Sequence, residues 1–283
     1  MTTPLRFPTY TSISESPVTF CENLSPEVFQ YPFFNQGVTT LRKPHAERES
    51  SILEDHLDLS ESQLLPIKGF IFHTSHCGST LLGRMLGSSS QVRMVSEPES
   101  INGLLLSFLL HQLPEDQVLA HLKRVIDAYR IPGDGKKFVL FKLTSWNVFL
   151  IQLFQKSYSK TPWIYIDRET EELVQILTTE DGGFIDWWHH PVGVLRKHFV
   201  ASPTASLTLE GYLRSIILGH REHALTAKNG NGIYMNYPEF LHEFSQILAH
   251  FQLAFTSDEM EKALEFRRFE SKKFEPILFQ SSD

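Results

Sequence analysis

The stretch IKGFIFHTSHCGSTLLGRMLG, residues 67–87, decides the fold. Ile67–Ser75 is rich in aromatic and β-branched residues and reads as a strand. HCGST is a turn of small residues. LLGRMLG then spaces its apolar residues as a helix does, from about Thr80. A strand that passes through a tight turn into a helix leaves unpaired main-chain N–H groups and a partial positive charge at the turn. A phosphate or sulfate sits well there. Gly78 lets the backbone approach such an anion, and Ser79 and Thr80 add hydroxyl donors. The Lys that precedes Ser or Thr in the GxxxxGK[ST] pattern of nucleotide triphosphatases has no counterpart here.

Downstream, QVRMVSEP reads as a short strand ending at Pro98, and Ile101–Leu113 and Glu115–Tyr129 read as helices. Strands follow over Lys137–Leu143 and Trp163–Asp167, with helices over Trp146–Lys156 and Thr170–Leu177. The remainder is mostly helical, over Leu207–Ala227, Pro238–Leu253 and Ser257–Phe266, with one short strand over Gly232–Tyr237. Strands alternating with helices predict an α/β fold, a central parallel sheet with helices on both faces and a mostly helical C-terminal part. Residues 1–65, broken by Pro4, Pro8, Pro17, Pro26, Pro32 and Pro44, read as an irregular leader packed on that body, with a short helix over Glu47–Leu59. The expected organisation is one domain over residues 1–283.

The segment HCGSTLLGRMLGSSSQVRMVSEPES, residues 76–100, resembles the 5′-phosphosulfate loop of the PAPS-dependent sulfotransferases. It is most similar to that of the tyrosylprotein sulfotransferases and bacterial small-molecule sulfotransferases. The likeness extends over residues 68–180 and implies a three-layer P-loop-type fold, PAPS as donor, PAP as product and no metal. It implies that Ser75, His76, Cys77, Gly78, Ser79 and Thr80 cradle the 5′-phosphosulfate and that Glu97 is the general base. In the same way it implies that Lys142 is a cationic partner of the transferred group and that Arg168 holds the 3′-phosphate. The hydroxyl residue expected eight positions after Arg168 is Ile176, so Thr178 or Thr179 stands in for it. FRRFESKKFEP, residues 266–276, matches a basic segment that closes over the nucleotide and offers Arg267, Arg268, Lys272 and Lys273. The chain departs from the family at His76, where the family carries Lys or Arg, and at Cys77, where it carries Ser. Either His76 takes the cationic role, or Lys142 supplies the charge, or transfer is slow.

The 283 residues are 41% hydrophobic and 21% charged, an ordinary globular composition. The net charge of -7 argues against a broad nucleic-acid footprint, yet one pocket can still be positive. The two cysteines, Cys21 and Cys77, form no CxxC pair and suit a reducing compartment. No signal-like or membrane-spanning stretch stands out, so the expected location is the cytoplasm, without a membrane partner. By elimination the acceptor is expected to be a small molecule. Oligomeric state is not legible.

Competing readings attach to the same residues. His73 alternates with the core side of its strand and reads as a structural histidine. HxxHC with His73, His76 and Cys77 is not a recognised zinc pattern. Asp186-Trp187-Trp188-His189-His190-Pro191 is either an acceptor-pocket loop or a buried aromatic one. The alternative functions are a P-loop kinase-like, ATP-dependent phosphotransferase and a non-catalytic nucleotide-binding protein of the same fold.

Overall fold

Parallel strands buried on both faces call for runs of apolar side chains, and Phe70, Ile71 and Phe72 give β4 (Ile67–His73) such a run. In the computed structural model, which describes residues 5–42, 50–53, 60–179, 184–190, 193–200, 208–269 and 271–273, β4 is the centre of a five-stranded sheet. Its companions are β5 (Val92–Ser96), β6 (Phe138–Lys142), β7 (Trp163–Asp167) and β8 (Gly232–Asn236). The order is β5-β6-β4-β7-β8 and every pairing is parallel.

Helices cover both faces, as the alternation predicts. Phe70, Phe72, Phe141 and Trp163 point to one face, into a core shared with α3 (Glu99–His111), α4 (Glu115–Ala128), α5 (Ile151–Ser157) and α9 (Leu209–Ala227). Ile71, Leu140, Ile164 and Met235 point to the other, against α2 (Ser79–Gly87), α10 (Phe244–His250) and α11 (Ser257–Glu265). Between β7 and α9 lie α6 (Thr170–Thr179), α7 (Phe184–His189) and α8 (Gly193–His198).

The first residues correct the expectation of an irregular leader. β1 (Leu5–Thr11), β2 (Thr19–Leu24) and β3 (Ser50–Ile52) form a separate antiparallel sheet, and α1 (Phe34–Leu41) follows β2. Pro8 does not break β1 because the register shifts just beyond it, where a missing N–H costs little. This sheet packs on α3: a Cβ at Gly103 would lie 2.1 Å from the Thr11 carbonyl oxygen. Val28 and Phe34 are buried in the main core, as their apolar character leads one to expect. Of the helix expected over Glu47–Leu59, residues 50–52 are strand, Leu53 follows them with its N–H on the Thr19 carbonyl oxygen at 2.8 Å, and the rest lies outside the described residues. The first half of Trp146–Lys156 is a 3₁₀ turn, Ser145–Leu150, before α5 begins.

Candidate functional site

Ligands of open parallel sheets bind outside the carboxyl ends of the strands, where the chain order reverses. β4 occupies that switch point, with β6 on one side and β7 on the other. The carboxyl ends of β4 to β7 deliver His73 and Thr74, Glu97, Lys142 and Arg168 to this one edge. Main-chain bonds continue the ladder into the loops: Thr74 N to Ile166 O at 3.0 Å, Glu97 N to Lys142 O at 2.7 Å and Tyr237 N to Asp167 O at 2.9 Å. The site residues are therefore fixed by the sheet.

From Thr74 the chain coils into α2. His76 and Gly78 are left-handed, with φ of 57° and 77°. Glycine takes that conformation freely, whereas a histidine pays about 1–3 kcal/mol for it. Gly78 has a second reason to be glycine, since a Cβ there would lie 2.6 Å from the Tyr237 ring. Cys77 is buried and donates to the Thr74 carbonyl oxygen at 2.9 Å. Burial pushes its thiol up to about 12, so Cys77 is a packing group rather than a nucleophile. Ser79 and Thr80, at the first turn of α2, are only 5% and 8% exposed. Among the described residues their hydroxyls have no hydrogen-bond partner, which is the state expected of donors reserved for an anion.

On the β7 side, Arg168 donates Nη1 to the His76 carbonyl oxygen at 3.1 Å and Nε to Glu172 at 2.7 Å, with its guanidinium over the Tyr237 ring. Arg221 of α9 ties this corner together. It binds Asp167, donates to Thr170 Oγ1 at 2.6 Å and to the Arg168 carbonyl oxygen at 2.7 Å. Asp167 in turn accepts from Thr74 Oγ1 at 3.0 Å. Nothing in the local sequence around Arg221 marks this role, because a mid-helix arginine has no signature of its own.

The C-terminal basic segment divides. Lys272 Nζ lies 3.4 Å from His76 Nδ1, so a cation stands beside the residue that departs from the sulfotransferase pattern. With Nδ1 accepting from the ammonium, a neutral His76 ring carries its proton on Nε2. Arg267 instead binds the Leu241 carbonyl oxygen. Thr178 and Thr179 are also not brought to the loop. They are exposed at the far end of α6, and each hydroxyl is returned to carbonyls of its own helix. Eight residues of helix separate Thr178 from the start of α6, about 12 Å along the axis.

On the β5–β6 side, Lys142 is 0% exposed and its ammonium binds Glu97 Oε1. Its stem passes Gly83 of α2, where a Cβ would lie 3.4 Å away. The Glu97 side chain remains 23% exposed. Glu97 is also left-handed, with φ of 51°, directly before Pro98. Residues before proline favour extended backbone, so the turn aims the carboxylate at a conformational cost. His73 is buried with both ring nitrogens 2.8 Å from main-chain oxygens, of Thr74 and Leu143. Burial, and then the Lys142 charge, depress it to about 4. It is a neutral ring that donates to one of those oxygens.

In the run from Asp186 the two tryptophans, each half-buried, pack on other rings, while Asp186, His189 and His190 are exposed. Trp187 stacks on Phe199 at 4.6 Å and meets Trp146 at 6.0 Å, while Trp188 packs on Tyr212 at 5.0 Å. Pro191 lies outside the described residues. Among the described residues no group of three or more His, Cys, Asp or Glu is arranged to hold a metal ion, and no helix is long and apolar enough to cross a membrane.

No family model matches the sequence, and no curated protein does. Among solved structures the chain is similar to a sulfotransferase from Alicyclobacillus acidocaldarius, at 12% identity over 71% of this chain and 90% of that one, with a TM-score of 0.40. It is similar to the sulfotransferase domain of the curacin biosynthetic pathway, at 12% identity over 69% and 77%, with a TM-score of 0.44. Mouse sulfotransferase SULT7A1, solved in complex with PAP, matches at 15% identity over 73% and 68%, with a TM-score of 0.38.

Proposed function

We propose that this chain is a sulfotransferase that moves the sulfuryl group of PAPS to a hydroxyl or amine of a small-molecule acceptor. The observation that carries the reading is one convergence at the sheet's carboxyl edge. Ser79 and Thr80, whose hydroxyls have no partner among the described residues, form the first turn of α2, two cations flank the loop through His76, and a buried Lys142 backs Glu97.

On this reading the first-turn N–H groups of α2 with Ser79 and Thr80 bind the 5′-phosphosulfate, and Arg168 binds the 3′-phosphate as a charge-assisted partner. Lys272 does not replace a lysine in the loop but supplies its charge from 196 residues away. Sulfuryl transfer is an in-line displacement. The acceptor oxygen bonds to sulfur as its proton passes to the Glu97 carboxylate. The bond from sulfur to the bridging phosphate oxygen breaks, and PAP keeps that electron pair. Lys142 and the His76–Lys272 pair face the charge that gathers on those oxygens. Lys142 neutralises Glu97 until a sulfate oxygen competes for its ammonium, which then leaves the carboxylate to accept a proton. Both cysteines are free and buried, which suits a reducing, cytoplasmic setting.

The test is PAP release from PAPS over a panel of hydroxyl and amine acceptors, with and without magnesium. Acceptor-dependent, magnesium-independent PAP release supports the reading. Transfer from ATP that needs magnesium supports the kinase-like alternative instead.

A further inference from the structure

Glu97 opens onto a cavity of about 480 Å³ between α1 and the start of α3. Gln36, Thr39 and Thr40 of α1 form one wall, and Glu97, Glu99 and Asn102 form the other. A second cavity, of about 390 Å³, continues past Asn35 and Glu99, which line both. Volumes of this size suit small-molecule ligands.

The charge on these walls is one-sided among the described residues. The first cavity has no Lys or Arg in its lining. The second has Arg42, but Glu22 already takes that guanidinium through two bonds, at 3.0 and 2.5 Å. Glu97 has Lys142 behind it. Among the described residues Glu99 pairs with no cation, and its polar partner is the amide of Asn102. Asn102 is held in turn by Asn147, at 3.3 Å, so a chain of amides orients the carboxylate. Burial, and then the neighbouring Glu97, push the Glu99 carboxyl above its usual range. A carboxylate in that state gains from a cationic ligand. In the same lining, the Thr144 hydroxyl is buried without a hydrogen-bond partner. The place of Glu99 in the first turn of α3 favours a carboxylate there. It does not account for the cavity, the idle hydroxyl or the lack of a lining cation to balance it.

We propose that this cavity selects an acceptor carrying a protonated amine beside its nucleophilic hydroxyl, with the ammonium on Glu99 and the hydroxyl at Glu97. The inference rests on the assignment of Glu97 as base. The ammonium donates to Glu99, the Thr144 hydroxyl and the α1 side chains take neutral polar groups, and the acceptor hydroxyl gives its proton to Glu97 as sulfur is attacked. An anionic acceptor would meet two carboxylates and is rejected.

The experiment uses matched acceptors, with tyramine, 4-ethylphenol and 4-hydroxyphenylacetate as one set and amino alcohols with their neutral and carboxylate counterparts as others. PAP binding is measured first by calorimetry. Failure at that step counts against the sulfotransferase reading itself. With PAP bound, the amine member of each set should show kcat/KM about tenfold above its neutral partner, the value of one charge-assisted hydrogen bond. Glu99→Gln should collapse that ratio, and Glu99→Asp should keep part of it. The ratio within a set is insensitive to a general loss of folding. Equal use of amine and neutral members overturns the proposal. So does preference for carboxylates, a preference that survives Glu99→Gln, or no turnover of any member by protein that binds PAP.

Discussion

At the carboxyl edge of the sheet, His76 meets Lys272 and lies beside Arg168, while the Ser79 and Thr80 hydroxyls have no partner among the described residues. Around α9, His220 is buried between the rings of Phe149 and Phe184, and Trp187 lies on Phe199. Both regions are rich in the residue types that chemistry uses. In the aromatic region burial has removed the charge: His220 is pushed down to about 3 and is fixed by a bond to the Ile216 carbonyl oxygen at 2.8 Å. At the sheet edge the polar groups are paired with opposite charges or hold donors in reserve, on a backbone strained at His76 and Glu97. Residue type alone therefore does not mark a site. The aromatic region also leaves polar atoms unpaired, at His220 Nε2 and the Tyr212 hydroxyl, so what sets the sheet edge apart is charge held beside a strained loop.

Glu97→Gln should lower kcat for sulfuryl transfer by about 10²–10⁴ while PAP affinity is retained. A variant that keeps full turnover would remove Glu97 from the chemistry. On the aromatic side, Phe199→Ala should cost about 3–5 kcal/mol in denaturant unfolding, the usual loss for a buried phenylalanine. It should leave PAP affinity intact under conditions where the variant is folded. Lost PAP binding in folded protein would join the two regions into one site.

Much of the fold was legible because parallel strands buried on both faces announce themselves, as in KGFIFH and WIYID. The loop was legible because a strand, a small-residue turn and a helix are contiguous. The first sheet was not, because prolines read locally as breakers, and only the three-dimensional register shows Pro8 at an irregularity. Thr178 was assigned by residue count, whereas helix geometry carries it away from Arg168. Lys272 came into view by position in a basic run, but its contact with His76 spans 196 residues, and Arg221 had no local mark at all. The cavity under α1 needed the leader's fold before it could be seen.

Smaller effects sharpen the contrast. His73 and His220 are held neutral, at about 4 and about 3, whereas an unfolded histidine titrates near 6.5. Below about 6.5 the unfolded chain takes up protons that the folded chain refuses, so stability is fully present above that pH and falls as pH drops towards about 4. Urea unfolding at stepped pH should show this slope, and His220→Gln should flatten it. A flat profile in the wild type would mean that these rings are charged or exposed. Smallest of all, Cys77 should resist iodoacetamide at neutral pH in folded protein, because burial keeps its thiol protonated. Rapid alkylation would show the loop to be open.

The most direct test of the central claim is a calorimetric titration of PAP against the wild type and Arg168→Ala, with ATP, with and without magnesium, as control. The wild type should bind PAP in the micromolar range, about ten- to a hundredfold more tightly than the variant, which loses one charge-assisted partner, and should show no comparable binding of ATP. No PAP binding, or ATP binding that depends on magnesium, would contradict that claim.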